Sequence, residues 1–323
     1  MRGLLTYGLI LLMGLSSCFR EDSPMAPITP GSIETVQIEI GYPYLNQIYY
    51  DCGTNKIVRT HTKYAWDLAF ECASDGYRVR LNTAKGEFIA NMGNVSFDAI
   101  HDVQDAKWLW DAPSGNLDST AIGDWRNKTD VYILDLQYDA QGKHLGFKKI
   151  QFVSVDATRY ILKFSDVDGA HGQTYTILKD PDLNYVHFTF QGGGQTLQLE
   201  PEKHSWDLLF TNHYHKFSNL PLPFVLTQVL INQDQNVVVG EDHMNRFSEI
   251  VLSDTGSYVY SNDWDVIGYD WKIRNSQDNS FVIDPSKSFV LKTTEGIFYK
   301  LRFTDFYDKS GNKGYPTFEV QKL

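Results

Sequence analysis

Apolar and polar residues alternate with a period of two along most of the chain beyond residue 34. This pattern is typical of half-buried strands, because successive side chains of a strand point to opposite faces. Turn signals such as Ser74-Asp75-Gly76 and Gly192-Gly193-Gly194 separate the alternating runs. Only His101 to Trp110 suggests a short helix. The pattern predicts an all-β chain of antiparallel strands. The clearest alternating positions are Val36, Ile38 and Ile40, then Tyr132, Leu134 and Leu136, and then Val186, Phe188 and Phe190.

One motif occurs twice, as Trp66-Asp67-Leu68-Ala69-Phe70 and as Trp206-Asp207-Leu208-Leu209-Phe210, 140 residues apart. The runs before and after the motif also recur in the same order. Their spacing grows to 145 and then to 151 residues, as loop insertions in a second copy would produce. We therefore predict two tandem antiparallel β domains, over residues 35–172 and 173–323. The alternative is a shared strand vocabulary without common descent.

We interpret the W-D-L-x-F motif as a signature of the fold rather than as an active site. In a continuous strand, its tryptophan, leucine and phenylalanine would share one buried face. The aspartate would lie on the other face, where it would cap a turn or pair locally. The residues assigned to this role are Trp66, Asp67, Phe70, Trp206, Asp207 and Phe210.

The amino terminus has the features of a lipoprotein leader. The apolar run from Leu4 to Leu15 is too short for a transmembrane helix and suits the core of a signal peptide. Leu15-Ser16-Ser17-Cys18 resembles a bacterial lipobox, which predicts a signal peptide over residues 1–17 and a lipid on Cys18. The alternative is an ordinary secretory signal with an incidental cysteine. The proline-rich residues 18–34 predict a tether. We expect an outer-membrane lipoprotein that is exposed at the cell surface.

The net charge and the absence of known catalytic motifs limit the classes of function that we expect. The formal net charge of −11 argues against binding of nucleic acid, which needs basic surfaces. The sequence has no nucleophile elbow, no HExxH zinc motif, no P-loop and no dinucleotide fingerprint, so we do not expect an enzyme. Cys52 and Cys72 either form a disulfide or are two buried free thiols, and the sequence leaves both alternatives open.

Several elements together resemble the HmuY family of haem-binding lipoproteins. They are the W-D-L-x-F motif, the strand Tyr77 to Asn82, the I-G-x-W element that ends at Trp125 with its one-residue-longer counterpart that ends at Trp271, and the closing strand Phe298 to Phe303. The resemblance covers most of both halves, in a family whose members usually have a single domain. It implies an all-β fold, a lipid anchor, and capture of haem that is passed to an outer-membrane transporter.

The resemblance also implies histidine or methionine ligands for haem iron. Neither I-G-x-W region contains either residue, so we expect the ligands elsewhere in the second half. The candidates are His213, His215, His243 and Met244, and His213 with His215 could instead hold a divalent metal. The two histidines could also be simple surface residues. The expected partners are haem or a haem carrier and a transporter. The alternatives are an adhesion or glycan-binding module, with Trp108 and Trp110 as stacking platforms, and a structural subunit of an uptake complex.

Overall fold

The computed structural model describes residues 29–100 and 102–323, so the predicted signal peptide, Cys18 and His101 lie outside the described residues. The described chain is built from antiparallel strands, which confirms the predicted all-β class. The strands are β1 (Glu34–Gln37), β2 (Asn46–Asp51), β3 (Lys56–Thr62), β4 (Leu68–Glu71), β5 (Val79–Leu81), β6 (Phe88–Asn91), β7 (Tyr132–Asp135), β8 (Phe147–Val155), β9 (Arg159–Asp166), β10 (Gln173–Leu178), β11 (Tyr185–Thr189), β12 (Gln195–Leu197), β13 (Leu208–His215), β14 (Phe224–Ile231), β15 (Val238–Asp242), β16 (Lys272–Arg274), β17 (Phe281–Ile283), β18 (Ser288–Lys292), β19 (Phe298–Tyr307) and β20 (Lys313–Lys322).

The helices among the described residues are short 3₁₀ turns, and none of them is long or apolar enough to span a bilayer. The predicted helix over 101–110 is wrong for its described residues. Leu109 exchanges two backbone hydrogen bonds with Ile89, which holds this segment extended. The 3₁₀ turns are Lys63–Ala65, Phe97–Ala99, Leu117–Ser119, Gln191–Gly193, Gln233–Gln235, Phe247–Glu249 and Leu252–Ser257.

The strands form two five-stranded sheets, two four-stranded sheets and one two-stranded hairpin. The five-stranded sheets have the orders β1-β20-β19-β18-β15 and β10-β9-β8-β7-β6. The four-stranded sheets have the orders β12-β11-β4-β5 and β3-β2-β13-β14, and β16 pairs with β17. The first five-stranded sheet joins the two ends of the described chain, because β1 pairs with β20.

Both four-stranded sheets combine strands from opposite halves of the chain. The hairpin β2–β3 pairs with β13, and the hairpin β11–β12 pairs with β4. We call 46–62 and 185–197 the exchanged hairpins. Each part of the chain on either side of residue 172 therefore contributes strands to both four-stranded sheets.

The two exchanges have the same register. Tyr50 lies opposite Leu208 in one sheet, and Phe188 lies opposite Leu68 in the other. Leu68 and Leu208 hold the same place in the two copies of the W-D-L-x-F motif. Because a slip of one residue would turn every side chain to the wrong face, the register is strongly specified wherever one face is buried.

Each half of the fold has its own hydrophobic core. In the Trp271 core, the indole of Trp271 stacks on Phe303 with ring centroids 3.9 Å apart. This core takes Ile48 and Tyr50 from the amino-terminal exchanged hairpin. In the Trp125 core, which takes Val186 and Phe188 from the second exchanged hairpin, Trp125 lies 5.1 Å from Phe152. Burial of each such side chain contributes roughly 1.5–3 kcal/mol, so neither core is complete without its exchanged hairpin.

The W-D-L-x-F motif faces both sides of its sheet. Leu68 and Phe70 lie in the Trp125 core, whereas Trp66 packs with Ala69 and Tyr185 on the opposite face. The predicted single-faced stripe is therefore wrong. The cause is local. A 3₁₀ turn ends at Ala65 and the backbone hydrogen bonds to the neighbouring strands begin at Asp67, so the alternation does not extend back to the tryptophan. The second copy behaves alike, and Trp206 packs with Tyr49 and Leu209.

Candidate functional site

The two motif tryptophans line one internal cavity between the four-stranded sheets. The cavity has a volume of about 40 Å³, and Tyr49 and His187 also line it. That volume suits one or a few water molecules, because a water in the liquid takes about 30 Å³. A haem molecule is far too large for it. The space beside the paired tryptophans is therefore not a haem pocket in this conformation.

The wall of this internal cavity carries a buried guanidinium. Arg80 stacks over Tyr185 at 4.6 Å and over Trp264 at 4.2 Å. Its Nη2 lies 3.5 Å from Asp234 Oδ2, and its Nε has no hydrogen-bond partner among the described residues. Cation–π contacts of this kind gain strength when the site is shielded from water. Arg80 thus joins strand β5 of one sheet to the segment that follows β14 of the other.

Glu200 provides a buried carboxyl group next to the same cavity. It accepts hydrogen bonds from Asn184 Nδ2 at 2.7 Å, from the Tyr185 backbone at 2.8 Å and from Trp206 Nε1 at 3.2 Å. Burial raises the pKa of Glu200 to about 8, because it penalises the charged form more than these donors stabilise it. The carboxyl group is therefore mainly protonated at neutral pH.

His213 is fully buried and has a structural position. Its Nε2 lies 2.8 Å from the Pro113 carbonyl oxygen, which can only accept, so Nε2 donates. Burial lowers the pKa of His213 to about 4, and the neutral ring then accepts from the Thr83 hydroxyl through Nδ1 at 2.8 Å. Both ring nitrogens are occupied, so His213 has no free nitrogen for iron or for another metal in this conformation.

His215 is half-buried in an aromatic cluster near the end of β13. Its ring lies 4.5 Å from Phe217 and 4.5 Å from Tyr269. The Tyr269 hydroxyl lies 3.4 Å from His215 Nε2. Among the described residues, no group of three or more histidine, cysteine, aspartate or glutamate side chains is arranged to hold a metal ion.

His243 and Met244 lie together at an open cleft that follows β15. The cleft has a volume of about 660 Å³, and Tyr258, Val259 and Val266 complete its apolar wall. Met244 and Val259 are each 92% exposed. The volume lies within the range of small-molecule sites, about 300–1,000 Å³. Of the four predicted ligands, the structure therefore brings His243 and Met244 together at one cleft and places His213 and His215 elsewhere.

His243 is held by a neighbouring carboxylate. Its Nε2 lies 3.1 Å from Glu241 Oε2, and half of the imidazole side chain is exposed. A carboxylate at one ring nitrogen fixes the tautomer and the orientation of the ring. The remaining nitrogen, Nδ1, is the one with which His243 could approach a ligand in the cleft.

A family comparison covers most of the chain that forms these sites. The family model described as HmuY protein matches residues 43–320. The chain belongs to the HmuY family. A comparison with curated proteins finds no match.

Solved structures similar to this HmuY-family chain come from several bacteria. Apo PinO from Porphyromonas gingivitis is 10% identical and has a TM-score of 0.31, over 90% of this chain and 97% of that one. An HmuY-like heme binding protein from Bacteroides vulgatus is 9% identical, with a TM-score of 0.25 over 89% and 90%. The apo HmuY analog from Tannerella forsythia is 18% identical, with a TM-score of 0.20 over 55% and 94%. All three TM-scores are low, so family membership rests on the sequence match.

The two remaining cysteines of this HmuY-family chain are free and buried. Cys52 belongs to the Trp271 core and Cys72 to the Trp125 core. Because each thiol is packed within a different core, the structure does not form the disulfide that the sequence left open.

Trp108 and Trp110, considered as sugar platforms, are half-buried. Trp108 stacks on Phe147 with ring centroids 5.8 Å apart, and Trp110 lies edge-on to Phe88. Other aromatic side chains of the protein therefore occupy part of the surface of each indole.

The buried polar residues Arg80, His187 and Glu200 are not among the predicted site residues. Arg80 and His187 each lie between two apolar core residues. Because side chains alternate between the two faces of a strand, such a position is expected to face solvent. That face is covered here by the second four-stranded sheet. A polar residue in the middle of a short strand is thus the local signal that Arg80 and His187 carried.

Proposed function

We propose that this HmuY-family protein is a surface-anchored lipoprotein that captures haem in the open cleft beside His243 and Met244. One observation carries the proposal: an apolar cleft of about 660 Å³ has a histidine and a methionine at its edge. These are the side chains that most often supply axial ligands to haem iron in binding and electron-transfer proteins.

The geometry limits the number of ligands that the cleft supplies. His243 and Met244 are adjacent in the chain, so they cannot reach opposite faces of one iron. We therefore propose one axial ligand from this pair, with the porphyrin face against Val259 and Val266. His243 is oriented by Glu241, whereas the Met244 side chain extends freely into solvent.

Capture of haem at the surface is also consistent with the small size of the internal cavity. The internal cavity of about 40 Å³ leaves no room for a porphyrin. An exposed site lets a carrier protein hand over haem and lets a transporter remove it without unfolding the donor. The lipid on Cys18, the outer-membrane location and the transporter partner belong to the proposal and rest on the sequence of residues 1–34.

The matched registers of the exchanged hairpins support a duplication of one HmuY-type unit. In this proposal, each unit contributes one W-D-L-x-F strand and lends one hairpin to the other. The two motif aspartates also bond equivalent backbone positions, the N–H groups of Phe190 and Cys52. Chance convergence of short strands would not reproduce the same side chain-to-backbone bonds.

The proposal is tested by titrating hemin into the chain that begins at residue 29, which contains every described strand. We expect a shift of the Soret band with the unmodified sequence and its loss in a variant with both His243→Ala and Met244→Leu. His171→Ala is the matched control, because His171 is also exposed and also pairs with a carboxylate, Asp166 Oδ2, at 2.6 Å.

Two results would overturn haem capture at this cleft. One is the absence of any Soret shift with the unmodified chain. The other is an equal shift in the unmodified chain and in the double variant, which would place haem elsewhere on the protein. Circular dichroism of the variants checks that the fold is intact in each case.

A further inference from the structure

The connection between β13 and β14 is a hairpin tip with exposed apolar side chains. We define the β13–β14 tip as residues 216–225. Leu222 and Phe224 are each 50% exposed, and Val225 is 38% exposed. Side chains of this size cluster on the surface of soluble proteins mainly where they contact a partner or a membrane.

The charge pattern of this segment differs from that of the rest of the chain. The sequence contains 40 aspartate and glutamate residues, yet none lies between Leu208 and Gln233, where Lys216 is the single lysine or arginine. The carboxylates on the neighbouring segments are neutralised by lysines: Asp270, which follows Tyr269, is bonded to Lys287 at 2.6 Å, and the buried Glu87 is bonded to Lys85 at 2.6 Å. The tip therefore presents an apolar surface without the anionic charge that would keep it in water.

Some backbone groups of the tip do not require water. Pro221 and Pro223 have no N–H group. The Lys216 ammonium group donates to the carbonyl oxygens of Phe217 and Leu220, and the Leu220 N–H bonds the Phe217 carbonyl at 3.2 Å. In an apolar environment each unsatisfied backbone group costs several kcal/mol, so these internal bonds reduce the cost of leaving water.

We propose that the β13–β14 tip inserts into the interfacial region of a lipid bilayer. Phe217 packs between His215 and Phe224, which gives the tip a rigid base. The net charge of −11 offers no attraction to anionic lipids, so the contact is apolar and insensitive to salt. A single tip binds weakly, but beside a lipid anchor its effective concentration at the membrane is high. The weak binding by the tip itself depends neither on haem capture nor on the proposed lipid anchor, which would only strengthen it.

The test measures binding of the chain that begins at residue 29 to vesicles of neutral phosphatidylcholine at millimolar lipid. We expect co-sedimentation that persists in high salt and a partition coefficient that falls roughly tenfold in Leu222→Ser with Phe224→Ser. The matched control is Ile273→Ser with Val282→Ser. These residues are 58% and 62% exposed on the β16–β17 hairpin, and their replacement should leave vesicle binding unchanged.

A second measurement reports how deeply the tip enters the bilayer, independently of how tightly the chain binds to vesicles. A polarity-sensitive fluorophore on Leu222→Cys should shift to the blue with vesicles, whereas the same fluorophore on Val282→Cys should not. Absence of vesicle binding, or equal losses in the two double variants, would overturn the proposal. So would loss of hemin binding in the tip variant without any effect on vesicles, since the tip would then be part of a haem site.

Discussion

Asp67 and Phe190 are 123 residues apart in the chain, yet the Asp67 carboxylate accepts a 2.7 Å hydrogen bond from the Phe190 backbone N–H. In the other half, the Asp207 carboxylate accepts the Cys52 backbone N–H at 3.0 Å. Each motif aspartate therefore fastens the end of an exchanged hairpin to the strand that receives it. The conspicuous acidic residue of the motif has a structural role in holding the two halves together.

Replacement of Asp207 by alanine tests this role. The substitution leaves the backbone N–H groups of Cys52 and Thr294 without their acceptor in a buried site. We expect a loss of about 2–4 kcal/mol in the free energy of unfolding, measured with urea. Asp118→Ala is the control, because its pair with Arg78 is exposed and should contribute less than about 1 kcal/mol. Equal losses in the two variants would contradict the role.

We expect the stability of the fold to depend on pH because of the buried Glu200. Since the pKa of Glu200 is raised to about 8 in the folded state, the folded chain holds a proton that the unfolded chain releases near pH 4.5. Stability from this group is thus full below the unfolded pKa and falls as pH rises toward 8. We expect Glu200→Gln to flatten the decline in the free energy of unfolding between pH 5 and 8, by an amount on the order of a few kcal/mol. Identical pH profiles would contradict a raised pKa.

His213 should affect stability but not hemin binding. Its loss in His213→Ala leaves a cavity and removes the partners of the Thr83 hydroxyl and the Pro113 carbonyl. We expect a decrease of about 2–3 kcal/mol in the free energy of unfolding, with an unchanged Soret shift in the folded variant. A folded His213→Ala protein that has lost the Soret shift would show that this histidine ligates iron after all.

The thiols of the folded chain should be inert. Burial raises the pKa of the Cys72 thiol to about 11, and it raises the pKa of the Cys52 thiol well above its usual range. Because the thiolate is the reactive form, we expect a thiol reagent to label neither residue in the native chain and both in denaturant. A reductant should leave the melting temperature unchanged. A reductant-sensitive melting temperature would instead indicate a disulfide.

Much of the fold was predictable because the local pattern determines it. The period-two alternation identifies strands such as β7 and β11, and the two W-D-L-x-F segments identify equivalent strands. The partner of each exchanged hairpin was not predictable. Leu68 and Leu208 offer the same surface to Tyr50, so the sequence pattern is satisfied equally by pairing within a half or between halves.

The candidate site was predicted only in part, for a related reason. His213 and His215 follow the alternation of one strand, but a neighbouring segment covers His213 and aromatic rings surround His215. The spacing of residues within one strand does not predict which distant segments will pack over it. His243 and Met244 were predicted as a pair because they are neighbours in the sequence. Residues that are neighbours in the sequence stay close together in any fold.

The most direct test of haem capture uses the methionine methyl groups. A chain that begins at residue 29 contains two methionines, Met92 and Met244, so ¹³C-methyl labelling gives two resonances. With ferric hemin bound in the cleft, the paramagnetic iron should strongly shift or broaden the Met244 methyl resonance and leave the Met92 resonance in place. If both resonances stay unchanged at saturating hemin, or if Met92 alone responds, haem is not bound beside His243 and Met244.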